Sequence, residues 1–263
     1  MDLLFLTPAL TAYLLFLTAL LGLVMGSFLN CLAWRLAHGE SVVRGRSHCA
    51  LCGHPLSALD LAPVLSWLCL RGRCRYCGEK ISPRYPAAEL LTAVVYVSVV
   101  LRCGLTWAAL RFLLLGSVLV ALSLVDLEVG LLPDRLLLAG AVGFVVLLLP
   151  EQDRWTLLAR GVAGALALFV PMLLLVLLLD KVTGRETMGG GDLKLMALLG
   201  LYFGWQVGLF LLILSCFLGL ALALLMGRAR PGVPFPFGPA LALSAWAALL
   251  CGRDVVNWYI SLF

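Results

Sequence analysis

The stretch LMALLGLYFGWQVGLFLLILSCFLGLALALLM, from Leu195 to Met226, decides the fold. It runs 32 residues without one Asp, Glu, Lys or Arg. A helix needs roughly 20 apolar residues to cross the hydrocarbon core of a bilayer, so this run is too long for a single crossing. Gly204-Trp205-Gln206 is the natural break, giving a short helix and then a full one. The rest of the chain reads the same way. Of its 263 residues 63% are hydrophobic and 13% charged, and the mean hydropathy is +1.07. Soluble domains carry about 25% charged residues, so the composition points to a helical membrane protein. No basic stripe with interleaved aromatics is present, which argues against a nucleic-acid partner.

Working outward, spans are expected near residues 9–34, 87–101, 108–125, 136–150, 161–179, 193–204, 206–226 and 237–252. The expected class is therefore all-α, a polytopic bundle of about eight transmembrane helices with a small cytoplasmic domain. The first apolar run follows Asp2 and has no Lys or Arg before Arg35. A signal peptide opens with a basic region and has a shorter apolar core, so this run reads as a retained span. The expected organisation is a first helix at 1–34, a loop domain at 35–86 and a membrane core at 87–263. Residues 35–84 hold eight basic and three acidic side chains. Cytoplasmic loops are enriched in Lys and Arg, which sets this loop inside and, by alternation, both termini outside. Only Arg102, Arg111, Arg154, Arg160 and Arg253, five of the nineteen basic residues, then fall outside.

Carboxylates are rare at membrane depth and usually functional when they face the bundle interior. Asp126 ends the run Ala121-Leu122-Ser123-Leu124-Val125, and Asp192 follows Gly189-Gly190-Gly191 and opens the next helix. The topology places both at helix ends on the cytoplasmic side. Such a pair suits peptide hydrolysis: one carboxylate activates water and one carboxylic acid protonates the carbonyl oxygen. Two carboxyls about 3 Å apart cannot both ionise and so share a proton. The glycine run suits close backbone approach or positive φ. Helix-end fields favour an anion at Asp192 and the shared proton on Asp126. The bland alternative makes each aspartate a helix cap. Glu128 and Asp134 share the loop of Asp126, and spacing alone does not choose among the three.

The loop holds Cys49-x2-Cys52 and Cys74-x2-Cys77, separated by 21 residues. Two such knuckles supply four thiolates to one tetrahedral Zn²⁺. A cytoplasmic location disfavours disulfides, and a loop of this size is too small for a core of its own. Four free thiols or a redox pair are the alternatives. His38, His48 and His54 read as surface residues, with His54 the nearest contender as a ligand, and the other five cysteines as small buried hydrophobes.

These residues together resemble the type IV prepilin peptidase family over nearly the whole chain. Met188-Gly189-Gly190-Gly191-Asp192-Leu193-Lys194-Leu195 is similar to its GxGD-x-K-L motif, and Asp126-Leu127-Glu128 with Leu131-Leu132-Pro133-Asp134 to its other aspartate block. Gly26-Ser27-Phe28-Leu29-Asn30, Arg71-Gly72-Arg73-Cys74, Arg84-Tyr85-Pro86 with Glu89, and Pro236-Phe237-Gly238-Pro239 resemble further elements. Ala58-Leu59-Asp60-Leu61-Ala62-Pro63 departs from the pattern, lacking the aromatic and the Asn-Ile usual before that proline. The resemblance implies Asp126 and Asp192 as catalytic residues, with Gly189, Gly191 and Lys194 supporting them. It implies cleavage of prepilin or pseudopilin leaders after glycine at the inner membrane of a bacterium. It further implies N-methylation of the new terminus from S-adenosylmethionine, with Gly72 and Arg73 near that activity. No nucleotide-binding turn marks a donor pocket in the loop. A leader peptidase without methyl transfer, of the preflagellin kind, and a zinc-sensing transporter are the competing readings.

Overall fold

The computed structural model describes residues 7–42, 45–184, 187–227 and 235–262. Arg44, Arg185, Arg228 and Arg230, counted above for topology, and the N-terminal residues through Leu6 lie outside these. The chain divides into two compact units, Met1–Leu105 and Thr106–Phe263. Among the described residues there is no β-strand, only the isolated bridges His48 with Pro55 and Arg73 with Lys80.

The first unit is a helical hairpin with a loop domain between its arms. Helix α1 spans Pro8–Ala37 and starts at Thr7, whose Oγ1 accepts from the Leu10 amide at 3.2 Å, with Pro8 in the first turn. That cap and an N-terminal proline are the usual ways to satisfy or remove orphan amides. A short α2 spans Leu65–Cys69, and α3 runs Arg84–Cys103 to a Gly104 cap. Helix α3, which the sequence assigned to the 87–263 segment, packs on α1. The contact is made by Gly22 and Gly26, one turn apart. A Cβ on Gly22 would stand 2.6 Å from Ala93 Cα, and one on Gly26 2.6 Å from Glu89 Cα. Small residues let membrane helices touch backbone to backbone, where lipid offers no hydrophobic drive to pack.

The second unit holds α4 (Trp107–Val129), α5 (Asp134–Leu148), α6 (Arg154–Thr183), α7 (Gly190–Leu225), α8 (Gly238–Ala247) and α9 (Arg253–Ile260). A π turn over Ala248–Gly252 joins the last two. The break expected at Gly204 is present: φ 73°, ψ 175° inside α7 divides it into two helical segments. Among the described residues six helices are long and apolar enough to cross a membrane. The 15-residue α5 and the division of α7 bring the apolar segments to the eight expected. The core is built from Leu122, Leu195, Met196, Leu199, Leu211 and Leu241, all under 2% exposed. Leu174, Leu177 and Leu178 on α6 and Phe217, Leu220 and Leu224 on α7 face outward, as lipid-facing side chains do. The five cysteines outside the knuckles are likewise not buried, contrary to expectation; Cys216 and Cys251 are exposed on apolar helices, where lipid makes burial unnecessary.

Helices α6 and α7 meet through glycine. A Cβ on Gly164 would fall 2.3 Å from Gly200 O and 2.6 Å from Gly204 Cα, and one on Gly200 2.4 Å from Gly164 O. Backbone cannot yield as a flexible side chain does. Gly164→Leu is therefore expected to prise α6 from α7 and destabilise the fold by at least about 1–3 kcal/mol, the usual cost of overpacking. Thermal unfolding in detergent checks this, with outward-facing Leu177→Ala expected to leave the midpoint unchanged.

Candidate aspartyl site and cysteine cluster

Asp126 lies in the last turn of α4 and is 6% exposed. Glu128 and Asp134 are exposed, and Asp134 accepts from Lys194 Nζ at 2.7 and 2.9 Å. Of the three acids that spacing left open, Asp126 alone is buried. Its Oδ2 accepts from the Gly238 amide at 2.8 Å. Gly238 opens α8, and a Cβ there would stand only 2.8 Å from the same oxygen. Only glycine allows the approach. The Pro236-Phe237-Gly238-Pro239 element thus acquires a role that sequence reasoning had not assigned: it delivers a backbone donor to Asp126.

Asp192 sits in the first turn of α7, where Gly189 is the N-cap and no side chain caps the helix. Its carboxylate is therefore not spent on its own helix end, as the capping alternative required. Gly189, Gly190 and Gly191 have no positive φ among them. What Gly191 provides is proximity: a Cβ there would lie 2.9 Å from Leu132 Cβ. Leu132 also borders Gly238, where a Cβ would lie 3.3 Å from Leu132 Cδ2. One side chain thus lies against both the residue before Asp192 and the residue that holds Asp126. The two carboxyls are close enough to interact electrostatically. Two helix N-termini, those of α7 and α8, now face the pair, so helix ends alone favour an anion at either carboxylate and leave the shared proton unassigned. Lys194 braces the start of α7 on the start of α5 through Asp134 rather than joining the pair.

In the first unit the two knuckles repeat one local structure. The Cys49 amide donates to His54 O at 3.0 Å and Gly53 to Cys49 O at 2.9 Å; Cys74 donates to Glu79 O at 2.8 Å and Gly78 to Cys74 O at 3.0 Å. Gly53 and Gly78 have φ of 68° and 74°, a conformation that side chains resist. The signal was legible as Cys-x2-Cys-Gly written twice. The four Sγ atoms lie within 4.8 Å of one another, and Cys49 and Cys77 are 4.0 Å apart. Tetrahedral Zn–S bonds of about 2.3 Å imply sulfurs about 3.8 Å apart, so the cluster fits one metal ion. The Cys52 amide hydrogen bond draws the Cys49 thiol down to about 7. At Cys77 the Glu79 amide favours thiolate, but desolvation and the neighbouring sulfurs outweigh it and raise the thiol to about 11. Among the described residues the metal-capable group is these four cysteines without a histidine. His54 instead packs against Tyr76, ring centroids 3.6 Å apart and tilted by 32°, joining one knuckle to the other.

Asp60 latches the second knuckle to the preceding turn. It accepts from Ser57 Oγ at 2.6 Å, Arg75 Nε at 2.7 Å and Tyr76 Oη at 3.1 Å. The Ser57 hydroxyl, then its amide and the Arg75 and Tyr76 donors, hold the carboxyl down at about 2. Gly72, with φ 66°, lies under Trp67, where a Cβ would fall 2.9 Å from Cζ2. Trp67 Nε1 donates to Ile81 O at 3.1 Å, Ile81 N to Gly72 O at 2.7 Å, and Arg73 bridges Lys80. Gly72 and Arg73 therefore build the seat of an indole.

Residues 20–103 match the bacterial peptidase A24 N-terminal domain, and residues 113–224 match the type IV leader peptidase family. Three similar proteins carry the name prepilin leader peptidase/N-methyltransferase. That of Aeromonas hydrophila is 44% identical over 225 residues, 83% of this chain and 76% of the relative. Those of Pseudomonas aeruginosa and Neisseria gonorrhoeae are 35% and 34% identical, each covering more than nine-tenths of both chains. No solved structure matches. The chain is a multi-pass membrane protein and belongs to the type IV leader peptidase family.

Proposed function

We propose that this chain cleaves the leader of type IV prepilins or pseudopilins and then N-methylates the exposed residue. The burial of Asp126 beside the glycine-rich start of α7, with Asp192 in electrostatic reach, carries the peptidase half. Asp126 and Asp192 share one proton; the ionised member activates water and the protonated member donates to the scissile carbonyl oxygen. The Gly238 amide holds one oxygen of Asp126, leaving the other for that chemistry. Gly189 and Gly191 keep side chains away from the approach of an extended substrate strand. The site lies at the cytoplasmic face of the inner membrane, with the basic 35–84 loop on the same side and both termini outside. The cysteine cluster holds Zn²⁺, which when bound staples the knuckles together. The methyl-transfer half rests on the relatives' names and on a methyl donor, S-adenosylmethionine.

Reconstitution with a prepilin tests the whole reading by product mass. Expected is a leader-free product that gains one methyl group only when S-adenosylmethionine is supplied. A cleaved product that never gains mass would mean a leader peptidase without methyl transfer, and an intact substrate would end the peptidase proposal.

A further inference from the structure

Among the described residues four serines and threonines are buried, and each returns its hydroxyl to its own helix. Thr92 donates to Ala88 O at 2.7 Å, Ser117 to Leu113 O at 2.8 Å, Ser215 to Leu212 O at 2.7 Å and Ser244 to Leu241 O at 2.9 Å. A bond to the carbonyl about one turn back satisfies a hydroxyl where lipid cannot. Ser123 breaks that rule. Its Oγ is closed to solvent yet has no hydrogen-bond partner in the protein, and no other buried hydroxyl among the described residues shares that condition. An unpaired buried polar atom in a native protein calls for a bound water or a catalytic duty. Its place supplies one. Ser123 lies on α4 three residues before Asp126, and residues so spaced have Cβ atoms about 5–6 Å apart on one helix face. Helical side chains lean toward the N-terminus of their own helix, which tips the Asp126 carboxyl back over the turn that carries Ser123. Leu119 and Val120, one turn before Ser123, are buried as Asp126 is, so this face of α4 is closed. The Gly238 amide holds Oδ2 of Asp126 and so fixes which oxygen remains. Ser123 makes no direct bond to that oxygen, and a single water bridges polar groups too far apart to bond directly.

We infer that Ser123 is a positioning residue for leader cleavage: its Oγ and the free oxygen of Asp126 hold the attacking water between them. The inference rests on the aspartyl reading above. Water brings two protons. One passes to the ionised carboxylate as the water oxygen bonds to the scissile carbonyl carbon, while the protonated carboxyl gives its proton to the carbonyl oxygen. The other stays on the water and donates to Ser123 Oγ, which fixes where the reacting lone pair points. When the tetrahedral intermediate breaks its C–N bond, the amine nitrogen takes the proton that the first carboxyl gained. One hydroxyl of the intermediate returns its proton to the second carboxyl, and the pair is restored. Ser123 gains and loses no proton in this sequence. It acts by aim alone.

The test compares prepilin cleavage by the full chain in detergent for wild type, Ser123→Ala and Ser123→Thr, with thermal unfolding of each. Alanine removes the hydroxyl and little else. It is expected to lower kcat by about 10–100-fold, the scale set by a misplaced reactant. KM is expected to stay within about twofold, because the water is no part of the substrate's own contacts. The unfolding midpoint is expected at or above that of wild type, since no bond within the protein is lost. Threonine keeps a hydroxyl and is expected to restore kcat to within about threefold of wild type. A serine with a merely structural role gives a different pattern, an unchanged kcat or a loss that follows a lowered midpoint. Either result would overturn the inference, as would a loss carried by KM or a threonine variant no better than alanine. If Asp126→Asn stops cleavage while Ser123→Ala leaves it intact, only this inference falls. If Asp126→Asn cleaves as wild type does, the aspartyl reading falls and takes this inference with it.

Discussion

Asp126→Asn and Asp192→Asn are each expected to lower leader cleavage by about 10³-fold or more, while the thermal unfolding midpoint stays at the wild-type level. In the proposed mechanism each carboxyl performs one of two inseparable roles, base toward water and acid toward the carbonyl, and each such role is worth about 10²–10⁴-fold. Because the pair works as a unit, the double variant is expected to be little worse than either single one. Asn at 126 keeps an oxygen that accepts from Gly238, so the start of α8 stays in place and lost activity is not lost fold. Glu128→Gln is the matched control, since Glu128 is exposed in the same turn. A shared proton also predicts a bell-shaped pH profile for wild type. Retention of cleavage within tenfold by either Asn variant would remove that aspartate from the chemistry.

Much of this was readable before any coordinates. Hydropathy placed every long helix, and the break at Gly204 followed from length alone, because 32 uncharged residues exceed one bilayer crossing. What pattern could not supply was the choice among Asp126, Glu128 and Asp134. All three lie within a few residues on a chain that turns at Gly130, and only packing decides which one points inward. Nor did spacing assign Lys194 its partner. Asp134 is 60 residues away in sequence, yet it takes the ammonium at 2.7 Å because α5 and α7 begin side by side. The Gly238 contact was hidden for a different reason. It is a backbone donor, so no residue type advertises it. The Gly189-Gly190-Gly191 run signalled close approach, and the structure shows Leu132 as the neighbour that Gly191 approaches. The pairing of α3 with α1 follows from Gly22 and Gly26, whose four-residue spacing lays one smooth strip along α1.

Removing the metal from the cysteine cluster is expected to abolish methyl transfer by about 100-fold or more and to spare leader cleavage. Between α1 and α3 the loop has almost no core: among the described residues from 38 to 83 only Gly72 and Cys74 are buried. A segment so thin needs a staple, and structural zinc contributes about 10–16 kcal/mol of apparent binding energy in small domains at neutral pH. Cys49 and Cys74 also wall a cavity of the first unit, so loosening the knuckles opens that cavity as well. Wild type is expected to carry one Zn²⁺ per chain, and Cys52→Ser or Cys77→Ser to carry far less. In both variants amide exchange over residues 45–83 is expected to rise toward unfolded rates, while α4 to α8 stay protected. The carboxyls proposed for cleavage, Asp126 and Asp192, belong to the other unit, so cleavage should continue and yield an unmethylated product. A metal-free protein that still protects the loop and still methylates would show that hydrogen bonds such as those of Asp60 hold the knuckles unaided. Loss of both activities together would instead mean that the loop takes part in seating the substrate for cleavage.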